Sequence, residues 1–232
     1  MTLVLVDLDG TLLVWPSSER LFITHLAMRG RLGPWQAWSA MAFLAHHLPR
    51  FGARAFKLDK AYLDGLDVVD VETLARRFVE RTIVPRLRAA MLARLDGHRR
   101  AGDTLALLSG APDFIVGPLA ARLHIPHWRA ARLVRAGGRF RAALPEVHPF
   151  AADKVATAEA LAREARAPLA GATAYGNSIH DATLLERVHR PVAVDPDRRL
   201  RRLAQARGWE ILGETPAAAA PTLSGHDFPL AG

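Results

Sequence analysis

The chain has 232 residues, half of them apolar, a formal net charge of +8 at pH 7 and no cysteine. That length can bury a core in one domain carrying a sizeable insertion, and the lack of cysteine excludes disulfides and thiolate metal sites, leaving oxygen or imidazole as metal donors. The longest uncharged apolar run, Trp35 to Leu48, is too short to cross a bilayer and is broken by Gln36, His46 and His47, while the excess of arginine favours phosphorylated small molecules, anionic headgroups or nucleic acid without choosing among them.

In chain order, Thr2 to Val6 reads as a buried strand stopping at Asp7-Leu8-Asp9-Gly10-Thr11. No basic n-region or cleavage site accompanies it, so a secretory signal is not expected and the cytoplasm is the default compartment. From Leu13 to Arg88 the apolar spacing is helical, which predicts a cap (13–88) inserted between the two parts of a core (1–12 and 89–213). Within it Trp35, Trp38, Met41, Ala42, Ala45 and Leu48 share one helical face, opposite Gln36, Ser39, His46 and His47 with Phe43 among them. Such a stripe predicts the interior of the cap. The alternative is that Trp15, Trp35, Trp38 and Phe43, with Arg29, Arg31, Arg50, Arg54 and Lys57, meet an acyl chain and a membrane surface. His25, His46 and His47 read as helix residues, not as metal ligands.

Thr104 to Leu108 is a second strand, ending at Ser109-Gly110 before a helix from Phe114 to Leu123. His127 to Leu144 places two extended runs around Ala136-Gly137-Gly138 and predicts a β-hairpin. Lys154 begins a helix. Ala172 to Tyr175 is a third strand, ending at Gly176-Asn177-Ser178 before a helix from Ile179 to Val188, and Pro191 to Val194 is a fourth, before a helix from Asp197 to Arg207. The run from Glu214 onward, rich in alanine, proline, serine and glycine, predicts a disordered tail (214–232). Strands alternating with helices predict an α/β fold, a Rossmann-like, doubly wound parallel sheet whose ligands bind at the carboxyl ends of the strands. With no basic stripe interleaved with aromatics, nucleic-acid binding is not expected.

The polar residues gather where those strands end. Asp7 and Asp9 are two apart in an extended exit and face the same way. One carboxylate can attack phosphorus while the other protonates the leaving oxygen and then activates water. Ser109 and Gly110 offer a hydroxyl and backbone N–H groups to an anion. Lys154 offers a point charge. Asp7, Asn177 and Asp181 offer the hard oxygens that magnesium prefers. Singly, each motif also reads as a capped turn or a solvated charge; it is the four together, in one order and each at a strand end, that carry information.

In that order the chain resembles the haloacid dehalogenase superfamily, whose four motifs match Asp7-x-Asp9-Gly10-Thr11, Ser109, Lys154 and Gly176-Asn177-Ser178-x-x-Asp181. The insertion and the Asp113-Phe114 pair resemble the branch with a helical C1 cap (subfamily IB) that includes phosphoserine phosphatases and phosphatidylglycerophosphatases. The resemblance implies a Mg2+-dependent phosphatase with Asp7 as nucleophile and Asp9 as acid/base. It further implies that Thr11, Ser109, Gly110 and Lys154 hold the phosphoryl group. Asp7, the Asp9 carbonyl, Asn177 and Asp181 would surround Mg2+. Asn177 departs from the aspartate usual in the family and removes a unit of charge from the metal site, which keeps open an idle relative that only binds a phosphorylated ligand. An acidic residue usual at the cap entry aligns with Pro16, which argues against phosphoserine, although Glu19 and Arg20 lie close by. The substrate expected is a small-molecule or lipid phosphate, the latter with peripheral contact at the inner membrane face.

Overall fold

The computed structural model describes residues 2–150 and 152–213; the expected disordered tail lies outside them. Strands β1 (Leu3–Val6), β2 (Thr104–Pro112), β3 (His127–Ala131), β6 (Thr173–Gly176), β7 (Arg190–Val194) and β8 (Glu210–Leu212) form one sheet in the order β3-β2-β1-β6-β7-β8. Every pairing in it is parallel. The short strands β4 (Arg135–Ala136) and β5 (Arg139–Phe140) make an antiparallel hairpin. This hairpin uses only the second half of the segment expected to form one. Its first half, β3, joins the main sheet instead, because its buried end, Ala130 and Ala131, packs beside β2.

Side chains of a strand alternate between faces, and here both faces are apolar. Val4 and Val6 of β1 enter one core, while Leu3 and Leu5 enter the other. Helices α5 (Ala89–Arg100) and α6 (Asp113–Arg122) supply Met91, Leu95, Phe114, Ile115, Val116 and Leu119 to the first core. Helices α7 (Ala152–Glu164), α8 (Ala182–Leu185) and α9 (Arg198–Arg207) supply Ala158, Leu161, Leu184, Leu185, Leu200 and Ala204 to the second.

The segment 13–88 carries helices α1 (Ser18–Met28), α2 (Pro34–Phe51), α3 (Ala55–Leu58) and α4 (Val68–Phe78), and isolated bridges in place of strands. α1 is capped by Ser17, whose side chain accepts from the Arg20 N–H, and α4 by Asp67, which accepts from Asp70. These two helices share the sheet's own core. Phe22 of α1 stacks near Phe78 of α4 and Phe114 of α6, with centroids 5.1 and 5.3 Å apart. α2 and α3 stand apart on a separate small cluster of Phe43, Leu58 and Ala61.

α2 faces the opposite way from expectation. Ser39 and Phe43 are buried, whereas Trp35, Trp38, Met41 and Leu48 are exposed. Asp64 explains the inversion: its carboxylate accepts from Ser39 Oγ and Trp35 Nε1, both at 3.0 Å, and its carbonyl from Gln36 Nε2. Hydrogen bonding turns the polar edge of the helix inward. No helix among the described residues is long and apolar enough to cross a membrane.

Candidate active site

In sequence β1 is followed by β2 and β3 on one side of it, while β6 to β8 lie on the other. Loops leaving β1 and β6 therefore diverge and open a crevice at their carboxyl ends. Asp7 is the first residue beyond β1, and its N–H donates to the Tyr175 carbonyl at 3.1 Å, which fastens the exit of β1 to β6. Gly10 turns the loop back at φ +87°; a Cβ there would stand 2.0 Å from the Asn177 side-chain nitrogen. Only glycine lets the Asn177 carboxamide lie over this loop. Beneath, Arg88 donates to the carbonyls of Thr11 (3.3 Å) and Gly10 (3.4 Å) and pairs with Asp195.

Asp7, Asp9, Ser109, Gly110, Lys154, Asn177 and Asp181 line one cavity of about 270 Å³. Thr11 does not reach it. Fully buried, its hydroxyl donates to Asp7 Oδ2 at 3.3 Å, so it positions the carboxylate from behind. Ser109 lies inside β2, which runs on to Pro112, where a strand ending at Leu108 was expected. The pairing with β3 is irregular between Leu108 and Pro112, and Ser109 Oγ accepts from the Ala111 N–H within that irregular stretch. The helix expected over Ile179 to Val188 is a single 3₁₀ turn (Ile179–Asp181) followed by α8.

Lys154 is buried, and its ammonium bridges Asp7 Oδ1 at 2.7 Å and Asp181 Oδ1 at 2.5 Å. Burial alone would lower the pKa of Lys154, but Asp181 and Asp7 more than offset it and hold it above the ordinary lysine value. The other oxygen of Asp181 accepts from Asn177 N, Ser178 N and Ser178 Oγ. Against the upward push of burial, Lys154 and these donors keep Asp181 below the usual carboxylate value. Asp7 moves the other way: burial pushes it up, Lys154 opposes, and Asp181 adds to the rise. Asp9 turns aside. Its Oδ1 accepts from the Ser18 N–H at 2.7 Å, and burial raises its pKa against that bond. Two carboxylates two residues apart thus occupy different environments, one on an ammonium and one at a helix start.

The other wall contains residues that strand-end reasoning does not reach. Trp15, Ser17, Glu19, Lys57 and Lys60 come from the segment 13–88, and His148, Pro149 and Phe150 from the approach to α7. Lys60 is buried and bonds Glu19 Oε2 at 2.5 Å and the Lys57 carbonyl at 2.9 Å, while Tyr62 donates to Glu19 Oε1 at 3.0 Å. Burial, with Lys60 and Arg54 nearby, depresses His148 to about 4 and leaves it neutral at pH 7. Glu19 and its lysine partner lie 41 residues apart, so no periodic signal links them, and of this wall the sequence singles out Trp15, Glu19 and Lys57 without bringing them together.

Residues 4–186 match the family model for haloacid dehalogenase-like hydrolases. A Mycobacterium tuberculosis protein named "Probable phosphatase Rv3661" is 29% identical over 64% of this chain and 51% of its own length. The "Inhibition of morphological differentiation protein" of Streptomyces azureus is 30% identical over 66% of this chain and 57% of its own. The chain spans about half the length of these curated relatives. Among solved structures, a protein of unknown function from Bordetella pertussis Tohama I superposes with a TM-score of 0.77 at 29% identity, over 91% of this chain and 99% of the other. A phosphoserine phosphatase in apo form superposes at 0.63 with 18% identity, over 92% and 94%, which is a likeness of fold.

Proposed function

The chain belongs to the haloacid dehalogenase-like hydrolase family, and on that premise we propose that it is a Mg2+-dependent phosphomonoesterase working through an aspartyl-phosphate. The divided environment of the two loop carboxylates carries this reading. Asp7 Oδ attacks phosphorus and the bond from phosphorus to the alcohol oxygen breaks. Asp9, whose pKa burial raises, gives its proton to that oxygen. Water then attacks phosphorus, Asp9 takes its proton, and the bond to Asp7 breaks, returning both carboxyls to their starting state. Ser109 Oγ, the Gly110 N–H and Lys154 hold the phosphoryl oxygens.

The donor set suits magnesium. Among the described residues no three acidic or imidazole side chains converge, so a cation here would rest on Asp7, Asp181, the Asn177 carboxamide and the Asp9 carbonyl, with water completing its shell. Bound there, Mg2+ would offset the charge of the phosphate and keep Asp7 ionised.

The test is hydrolysis of p-nitrophenyl phosphate with Mg2+ by the wild type and by Asp7→Asn, with circular dichroism as control for folding. Turnover in the wild type and its loss in the variant are expected, because an amide cannot form the acyl-phosphate. Equal activity in both would remove the nucleophile. Phosphate binding without turnover in either would leave an idle ligand-binding relative.

A second reading, peripheral contact with a membrane carrying a lipid phosphate, is favoured by the outward stripe on α2, where Trp35, Trp38 and Met41 are 56, 57 and 63% exposed. The helix carries no acidic residue to repel an anionic surface.

A further inference from the structure

The cavity wall opposite the phosphoryl site must meet the alcohol of the substrate, since the catalytic loop meets only its phosphate. Three charged side chains line that wall: Glu19, Lys57 and Lys60. An acid there could hold an ammonium group on the alcohol, as an amino-acid phosphate would require. Glu19 is not free to do so. One of its oxygens accepts from the buried Lys60 ammonium at 2.5 Å and the other from Tyr62 Oη at 3.0 Å. A carboxylate with a cation on one oxygen and a phenol on the other is neutralised and satisfied, and prying it loose would strand the Lys60 ammonium, which is 4% exposed. Lys57 differs. It is exposed at the cavity and forms no ion pair among the described residues, and its neighbour His148 is neutral at pH 7. The wall therefore presents one positive charge held in no ion pair, with Asp9 across the cavity as the carboxylate it acts on, and no free negative charge of its own.

Resting on the phosphatase reading above, we propose that this wall selects phosphomonoesters whose alcohol bears an anionic group and no ammonium, with Lys57 as the side chain that reads the anion and the Lys60–Glu19–Tyr62 cluster as the element that refuses the cation. A carboxylate and a second phosphate are equivalent to a lysine point charge. Both belong to the class.

The test compares kcat/KM for four esters that vary the two charges independently: 3-phosphoglycerate (anion only), glycerol 3-phosphate (neither), phosphoethanolamine (cation only) and phosphoserine (both). Glycerol 1,3-bisphosphate serves as the arm in which phosphate replaces carboxylate. The wild type should rank 3-phosphoglycerate first and phosphoethanolamine last. Lys57→Met should lower kcat/KM for 3-phosphoglycerate about tenfold more than for glycerol 3-phosphate, chiefly through KM, and Lys57→Arg should restore part of the difference. Tyr62→Phe, which frees one Glu19 oxygen while leaving Lys60 paired, should narrow the gap against phosphoethanolamine. A wild type that prefers phosphoserine or phosphoethanolamine, or a Lys57→Met variant with an unchanged ratio, overturns the proposal while p-nitrophenyl phosphate hydrolysis leaves the reaction standing. No hydrolysis of any ester, p-nitrophenyl phosphate included, overturns both.

Discussion

Asn177 concentrates the residue-scale question. A carboxylate there would give a hard dication a third anionic oxygen, so Asn177→Asp should lower the Mg2+ concentration for half-maximal activity by about tenfold. An unchanged or higher value would show that the side chain is not a ligand. Without metal the same change adds a third carboxylate to Asp7 and Asp181, so the variant should also melt lower in EDTA than the wild type. A second carboxylate, far from the site, sets a pH limit. Asp103 accepts from Thr2 N, Thr2 Oγ1 and His98 Nδ1 at 2.9, 2.6 and 2.8 Å. Burial pushes its pKa up, but the Thr2 and His98 bonds outweigh it and hold it at about 2. Its unfolded value is about 4. The stabilisation is therefore complete above about pH 4 and fades as pH falls toward 2. Acid unfolding of Asp103→Ala should show a shallower loss over that window, from a starting stability about 1–2 kcal/mol lower. The residues that share the cavity at the strand ends were legible because glycines punctuate the sequence there. Lys60, Tyr62 and His148 were not, because their roles come from partners far away in the chain.

At the scale of elements, the strands β1, β2, β6 and β7 were legible as apolar runs with sharp polar ends. β8 was not: its three residues are all only half-buried and open with Glu210, which is held by Arg94 and Arg190. β3 begins His127-Trp128-Arg129, half-buried and without alternation, and reads as a hairpin arm until the sheet edge claims it. α2 shows where apolar periodicity fails. It predicts that the tryptophan stripe is inside, and Asp64 decides otherwise by satisfying Ser39 and Gln36 at the helix's polar edge. Because the stripe is outside, Trp38→Ser combined with Met41→Ser should change stability by less than about 1 kcal/mol and leave p-nitrophenyl phosphate turnover intact. If α2 touches lipid, the same pair should abolish co-sedimentation with anionic liposomes. Loss of the fold would return the stripe to the interior.

For the whole molecule, the sequence reading divides the chain into core and cap, while the apolar packing joins two helices of the segment 13–88 to the sheet. α1 and α4 contribute Phe22, Val71, Ala75 and Phe78 to the core that also holds Val4 and Val6 of β1. Phe22→Ala should therefore cost about 3–5 kcal/mol and shift the main urea transition. Phe43→Ala should leave that transition nearly in place while speeding hydrogen exchange in α2, since Phe43 belongs to the separate small cluster. A common shift for both variants would show that α2 and α3 melt with the sheet. Sequence periodicity could not reveal this division, because Phe22 and Phe43 sit on similar helical faces and differ only in what lies across from them.

That small cluster also bears on how firmly each part is held. α2 and α3 rest on Phe43, Leu58 and Ala61, with partial cover from Phe51 and Leu144 and an ion pair from Arg54 to Asp153 at the head of α7. Few apolar side chains hold the two helices, the pattern expected of an element that opens locally more readily than the sheet. The loop that carries Asp7 and Asp9 is, by contrast, held by Arg88 on the Gly10 and Thr11 carbonyls and by the Asp7 N–H on the Tyr175 carbonyl. A displacement of α2 and α3 would therefore carry Lys57 with it and leave the loop of Asp7 and Asp9 in place.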